Sequence, residues 1–266
     1  MCRRQPLPSV SACMSEILDI EAMHRLDGKV CVVTGASSGF GDRFARVLSA
    51  AGGNVVVAAS RQDRLEKLVS ELPDALAIQC DVSDDDQCRQ LISETVSHYG
   101  QIDVLVNNAG LMPLSFVKSL KIDEWDRMVD VNIKGVLYCT AAVVPTMVEK
   151  KSGHIINISS VAGRIVFPAG SVYCATKHAV TAFSEGLRQE LSVRKNIRVT
   201  SIEPGVVQTE LTNTITEESL QAFVEKHKEM EGLQAADISN AIIFAIDAPN
   251  HMNVNEILIR PTAQEV

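Results

Sequence analysis

The sequence predicts a doubly wound α/β fold: one parallel sheet of about seven strands with helices on both faces. Three observations predict it. β-branched apolar runs recur along the chain, amphipathic helical stretches separate them, and several runs end in turns rich in glycine or proline. Crossovers between parallel strands are right-handed, so a ligand belongs at the C-terminal edge of the strands. No linker or internal repeat interrupts the pattern, and one domain is expected over residues 27–266. Residues 1–26 read as a disordered extension, with Met14 as an alternative start. Their apolar stretch is too short, and too broken by proline and serine, for a signal peptide.

The elements follow in order. "KVCVVT" (29–34) is a β-branched strand, followed by "GASSGFG" and the helical "DRFARVLSAAG". "NVVVAAS" (54–60) is the second strand, and "RQDRLEKLVSEL" is a charged amphipathic helix. "ALAIQCDV" (75–82) leads into a helix that Ser83 is expected to cap, with the aspartates after it suiting the positive N-terminus. "IDVLVNNAG" (102–110) is the fourth strand, and one long helix is expected over 123–150. "GHIINISS" (153–160), a helix over 171–193, and "IRVTSIEPG" (197–205) come next. An acidic amphipathic stretch (215–232), a helix near 236–247 and a last strand, "NVNEILIRP" (253–261), complete the series.

Composition excludes several classes. A net charge of −8 and a pI near 5.3 argue against a nucleic-acid binder. No apolar run is read as reaching the ~18–20 residues that span a bilayer, so no membrane partner is expected. The 7 cysteines are scattered, with no CxxC pair and no histidine at ligand spacing, so neither a disulfide framework nor a metal site is expected. Free thiols suit a reducing, cytoplasmic setting.

The chemistry-bearing motifs lie at the ends of the strands. In "TGASSGFG" (34–41), Gly35 permits a tight turn, while Gly39 and Gly41 let backbone approach a pyrophosphate at the helix N-terminus. Ser37, Ser38 and Phe40 belong to the same nucleotide-facing loop. Where an adenosine ribose usually meets an acid, strand two ends in Ser60, followed by Arg61. A guanidinium there forks onto a 2′-phosphate, which favours NADP(H) over NAD(H). Asp81 and Val82 sit where an adenine would lie. Asn108, Ala109 and Gly110, in "NNAG", bring small residues to a cofactor ribose. In "YCATK", Tyr173 and Lys177 are four positions apart and share a helix face. A neighbouring ammonium, with the positive nicotinamide of an oxidised cofactor, favours the phenolate, so Tyr173 is the candidate acid/base.

TGxxxGxG, "NNAG", Asn132 in "DVNIKG", Ser160 in "NISSVAG", Tyr173 and Lys177 in YxxxK, and "EPGVVQT" occur in that order. The chain resembles the short-chain dehydrogenase/reductase family over about residues 27–260, which implies a Rossmann-type catalytic domain. The resemblance implies that Ser160, rather than Ser159, holds the substrate oxygen. It also implies that Asn132 holds a water linking Lys177 to solvent, and that Lys177 bonds the nicotinamide ribose. The turn Pro204–Gly205, with Val207 and Thr209, would hold the carboxamide, and residues 210–235 would form a substrate lid.

The tail "HMNVNEILIRPTAQEV" resembles a branch containing NADP-dependent 3-hydroxy acid and serine dehydrogenases and related carbonyl reductases. The expected substrate is therefore a small 3-hydroxy acid or a small aldehyde or ketone, with Arg164 either a carboxylate clamp or a solvated arginine. The resemblance implies that the chain assembles as a homotetramer or homodimer. A 3-oxoacyl carrier-protein reductase and a cofactor-binding regulatory protein are the alternatives. An epimerase of the extended branch would need other glycine spacing and a longer C-terminal part.

Overall fold

In the computed structural model, residues 26–229 and 231–265 are described. The expected N-terminal extension lies outside the described residues except for Leu26, which is buried and donates its N–H to Ala51 O at 2.8 Å. Seven strands form one parallel sheet: β1 (Val30–Thr34), β2 (Asn54–Ala59), β3 (Leu76–Gln79), β4 (Val104–Asn107), β5 (Gly153–Ile158), β6 (Ile197–Pro204) and β7 (Glu256–Ile259). Their spatial order is β3-β2-β1-β4-β5-β6-β7. The order reverses between β1 and β4, which opens a crevice at the C-terminal strand ends.

Period-two alternation sorts the strand residues into two cores. Cys31 and Val33 of β1, with Val55 and Val57 of β2, face one layer. That layer holds α1 (Gly39–Ala50), through Phe44 and Leu48, and α8 (Ala235–Asp247), through Ile238 and Ile242. Val30 and Val32, with Val56 and Ala58, face α3 (Asp85–Tyr99) and α5 (Gly135–Lys150), meeting Leu91, Cys139, Val143 and Met147. Both faces are covered, so these strands read as continuous apolar runs. Each fully buried valine or leucine contributes about 1.5–3 kcal/mol.

Two local expectations are corrected first. The α3 cap is Asp84, not Ser83: its carboxylate accepts from Asp86 N (2.9 Å) and Gln87 N (3.2 Å). Ser83 instead donates its N–H and hydroxyl to Asp81 Oδ1, at 3.0 and 2.7 Å. The helix over 123–150 is not uniform. It comprises α4 (Ile122–Val129), a turn of π-helix (Asp130–Lys134) and α5.

Against expectation, Ile122–Lys150 is long and apolar enough, by length and composition alone, to cross a membrane. Its place is a sheet-covering one, with Val136, Cys139, Val143 and Met147 buried in the core.

The remaining helices are α2 (Gln62–Ser70), α6 (Ser171–Lys195) and α7 (Gln221–Glu229). α6 runs past the expected end to an asparagine, Asn196, in the left-handed conformation. The acidic stretch after β6 becomes two 3-10 turns, Glu210–Thr214 and Glu218–Leu220, before α7.

Candidate active site

The crevice is a cleft of about 1890 Å³. It is lined by every expected site residue except Gly41, Asn132 and Arg164; Gly41 packs behind the lining residue Gly35, and Asn132 behind Leu111.

The nucleotide end is shaped by backbone proximity. Gly35 has φ +66°, and a Cβ on it would lie 2.7 Å from Ala109 Cα, so the glycine turn rests on the "NNAG" turn. A Cβ on Gly41 would meet Gly35 O at 2.4 Å. Thr34, to which the sequence pattern gave no role, ties the two turns together. Its hydroxyl accepts from Asn108 N (3.0 Å) and Ala109 N (3.1 Å), while Asn108 Nδ2 donates to Thr34 O (2.8 Å). Its signal was its place in the first turn, just ahead of Gly35. Ser38 leaves the N-terminus of α1 without a side-chain cap, and Ser38, Gly39 and Phe40 line the cleft there. Phe40 lines the cleft and stacks on Phe44, with centroids 5.7 Å apart.

Arg61 folds onto this loop. Its Nε donates to Ser37 Oγ (3.0 Å), and its Nη2 to Ser37 Oγ (2.7 Å) and Ser38 Oγ (2.9 Å). A guanidinium and two hydroxyls therefore converge at the end of β2. Asp81 and Val82 line the neighbouring wall, and Val82 packs on Gly135, where a Cβ would sit 2.7 Å from its side chain.

At the other end, Tyr173 and Lys177 enter from the first turns of α6, both buried. Lys177 Nζ is 5.8 Å from the Tyr173 ring centroid and donates to Ile158 O at 2.9 Å. Burial pushes the Lys177 ammonium down to about 8. Burial also pushes the Tyr173 phenol up to about 12, opposed by a hydrogen bond with Ser160. Burial therefore dominates at Tyr173, in the direction opposite to the phenolate expected beside Lys177 and an oxidised nicotinamide.

Ser160 and Ser159 both line the cleft, but their hydroxyls are held differently. Ser159 Oγ lies under α6, donating to Lys177 O (3.0 Å) and sharing a bond with Thr181 Oγ1 (2.8 Å). Ser160 lines the cleft, its Oγ 3.3 Å from Pro204 O. Asn132 sits in the π turn with its carboxamide turned inward. Nδ2 donates to Leu111 O and Oδ1 accepts from Leu111 N, both at 2.9 Å, and Nδ2 also reaches Thr176 Oγ1 at 3.2 Å. π turns recur at functional sites because they re-aim one side chain.

Pro204, Gly205, Val207 and Thr209 form the last wall, where Thr209 Oγ1 accepts from Leu211 N at 3.3 Å. The ends of the segment beyond are joined: Gln208 N donates to Leu233 O (2.9 Å), and Leu233 N to Val206 O (3.0 Å).

Arg164 departs from expectation. It forks onto the fully buried Glu203 (2.7 and 2.9 Å), pairs with Glu256, and does not line the cleft. Two carboxylates at the end of β6 and on β7 hold it away from a substrate.

The model of the short chain dehydrogenases matches residues 29–220. The chain belongs to the short-chain dehydrogenase family. An uncharacterised oxidoreductase of Staphylococcus saprophyticus is 47% identical over 92% of this chain and 100% of its own. The closed, NADP⁺-bound form of a serine dehydrogenase superposes with a TM-score of 0.84 at 36% identity, covering 89% of this chain and 96% of that one. Levodione reductase matches at a TM-score of 0.81 and 26% identity, covering 89% and 97%. This short-chain dehydrogenase is an oxidoreductase with the family's seven-stranded sheet.

Proposed function

We propose that this short-chain dehydrogenase is an NADP(H)-dependent oxidoreductase interconverting a carbonyl and an alcohol, either a small 3-hydroxy acid or a small aldehyde or ketone. The observation that carries it is the convergence of Ser160, Tyr173 and Lys177 on the end of a cleft whose other end holds Arg61 on Ser37 and Ser38. The residues fit a phosphorylated dinucleotide. The α1 N-terminus is uncapped, the glycine turn admits no Cβ, and the Arg61 cluster stands where a 2′-phosphate would lie. The serine dehydrogenase bound to NADP⁺ supports the same choice.

When bound, the nicotinamide supplies or accepts the hydride. Ser160 Oγ would donate to the substrate oxygen and orient its carbonyl group. In reduction, Tyr173 gives its phenolic proton to that oxygen; in oxidation, its phenolate removes the alcohol proton. Lys177 holds the positive charge that favours the phenolate and hydrogen-bonds the nicotinamide ribose. Asn132, buried against Leu111, keeps the π turn open toward a water that relays protons from Lys177. Pro204, Gly205, Val207 and Thr209 hold the carboxamide, and the segment 210–235 closes over the substrate.

Assembly into a homo-oligomer belongs to the same proposal, supported by the exposed Phe244 of α8 and Leu258 on the edge strand β7. So does a reducing, cytoplasmic setting, supported by the five free cysteines among the described residues. The test is absorbance at 340 nm with NADPH or NADP⁺, NAD(H) as control, and a panel of hydroxy acids, aldehydes and diketones. Turnover with clear NADP(H) preference is expected. Silence with both nucleotides overturns the reading.

A further inference from the structure

We infer that the substrate is a neutral carbonyl compound with an extended apolar substituent, seated between the turn after Ser160 and the segment after β6; this rests on the oxidoreductase reading above. Tyr173 belongs to a third apolar cluster, separate from the two that sandwich the sheet. The cluster unites Leu111, Met112 and Leu114 after β4, Phe167 after the serine turn, and Leu211 and Leu220 beyond β6. Three remote stretches of chain therefore present hydrocarbon to one wall around the proposed proton donor.

The wall continues outward as exposed hydrocarbon. Val166 is 75% exposed and Phe223 is 41% exposed, and both line the cleft, one after the serine turn and one on α7. Large apolar side chains left open at the mouth of a binding cleft gain by covering a ligand's apolar surface. Leu211, Leu220 and Phe223 lie on the segment that closes over the substrate, so closure deepens this contact.

The charges point the same way. Among the described lining residues the basic groups are Arg61, Lys177 and Arg127. Arg61 bonds the serines of the nucleotide loop, and Lys177 bonds Ile158 O. Arg127 shares its wall with Asp123, Asp126 and Asp130. Arg164, the expected clamp, is forked onto Glu203 and paired with Glu256. A carboxylate on the substrate would meet hydrocarbon and like charge, which costs affinity.

The test measures kcat/KM with NADPH for straight-chain methyl ketones from butanone to decanone. Each is paired with the ketone of equal length ending in a carboxylate, and L-serine and 3-hydroxyisobutyrate are run in the oxidative direction with NADP⁺. Expected is a rise of about fourfold per added methylene, the worth of burying that group, and a preference of at least about tenfold for each neutral ketone over its acid. In Val166→Ser and in Phe223→Ser the ratio of decanone to butanone kcat/KM falls about fivefold. Acids or hydroxy acids turned over as well as the neutral series overturn this inference and leave the oxidoreductase reading standing. A flat chain-length series overturns the assignment of the mouth. Absence of turnover for every compound overturns the oxidoreductase reading, and this inference with it.

Discussion

The two ends of the cleft are built from different materials. The nucleotide end is made by backbone lying against backbone: Gly35 on Ala109, Gly41 on Gly35 O, and Thr34 bonded to both N–H groups of the next turn. The substrate end is made by side chains, with Leu111, Phe167, Leu211 and Leu220 converging from three loops. Backbone contact demands particular residues at particular spacings, whereas an apolar wall accepts any hydrocarbon of fitting volume. The first end is therefore stiff in sequence and the second free to vary.

Four perturbations sharpen or break that contrast. The largest effect is at the chemistry: Tyr173→Phe removes the proton donor and lowers kcat about 10³-fold, while NADPH binding followed by fluorescence stays within about twofold. Near-normal turnover breaks the assignment.

Next comes the tie behind the substrate end. Arg164→Met leaves Glu203 buried without its partner and lowers unfolding free energy by about 2–3 kcal/mol. This lies below the full cost of an unpaired buried charge because Arg164 is 37% exposed. Urea denaturation measures it, and a loss confined to carboxylate turnover, with stability intact, would restore Arg164 as a substrate ligand.

At the nucleotide end, Arg61→Ala removes a charge-assisted fork and weakens NADPH by about 10- to 100-fold and NADH by much less. Calorimetry with both nucleotides reads the difference, and equal losses make Arg61 incidental.

The smallest effect carries a sign. The folded-state value of Lys177, about 8, lies below its ordinary 10.5, so the unfolded chain binds the proton more readily. The penalty of the buried ammonium is fully present below pH 8 and is relieved as pH rises toward 10.5. Lys177→Met is therefore inactive yet more stable at pH 7 by about 1–2 kcal/mol, after allowing for the bond lost to Ile158 O. Thermal unfolding from pH 7 to 10.5 should show the gain shrinking with pH. A constant gain would point to packing rather than charge.

The same contrast explains what could be read in the sequence. The strands of one parallel sheet and the glycine turn were legible because apolar runs and TGxxxGxG are local patterns, and Arg61's place beside that turn was legible because it follows β2 directly. The π turn was not. Hydrophobic periodicity runs through 122–150 without a break, and the bonds that reward the bulge lie between Asn132 and Leu111, far apart in sequence. Arg164 was misplaced for a similar reason: its partners, Glu203 and Glu256, sit on strands that meet it only in the fold. Asp84 displaced Ser83 as a cap because Asp81 had already engaged the serine.

The pairing of Val206 and Gln208 with Leu233 has an evolutionary consequence. It closes the segment between them at a neck of main-chain bonds that carry no side-chain identity. Closing a loop costs little more when the loop lengthens, and residues anchored at a neck can be replaced without moving the elements that flank it. The segment is in effect an interchangeable cassette. Exchanging it between relatives should transplant substrate preference while leaving the nucleotide site as it was, so new specificities can arise without refolding the sheet.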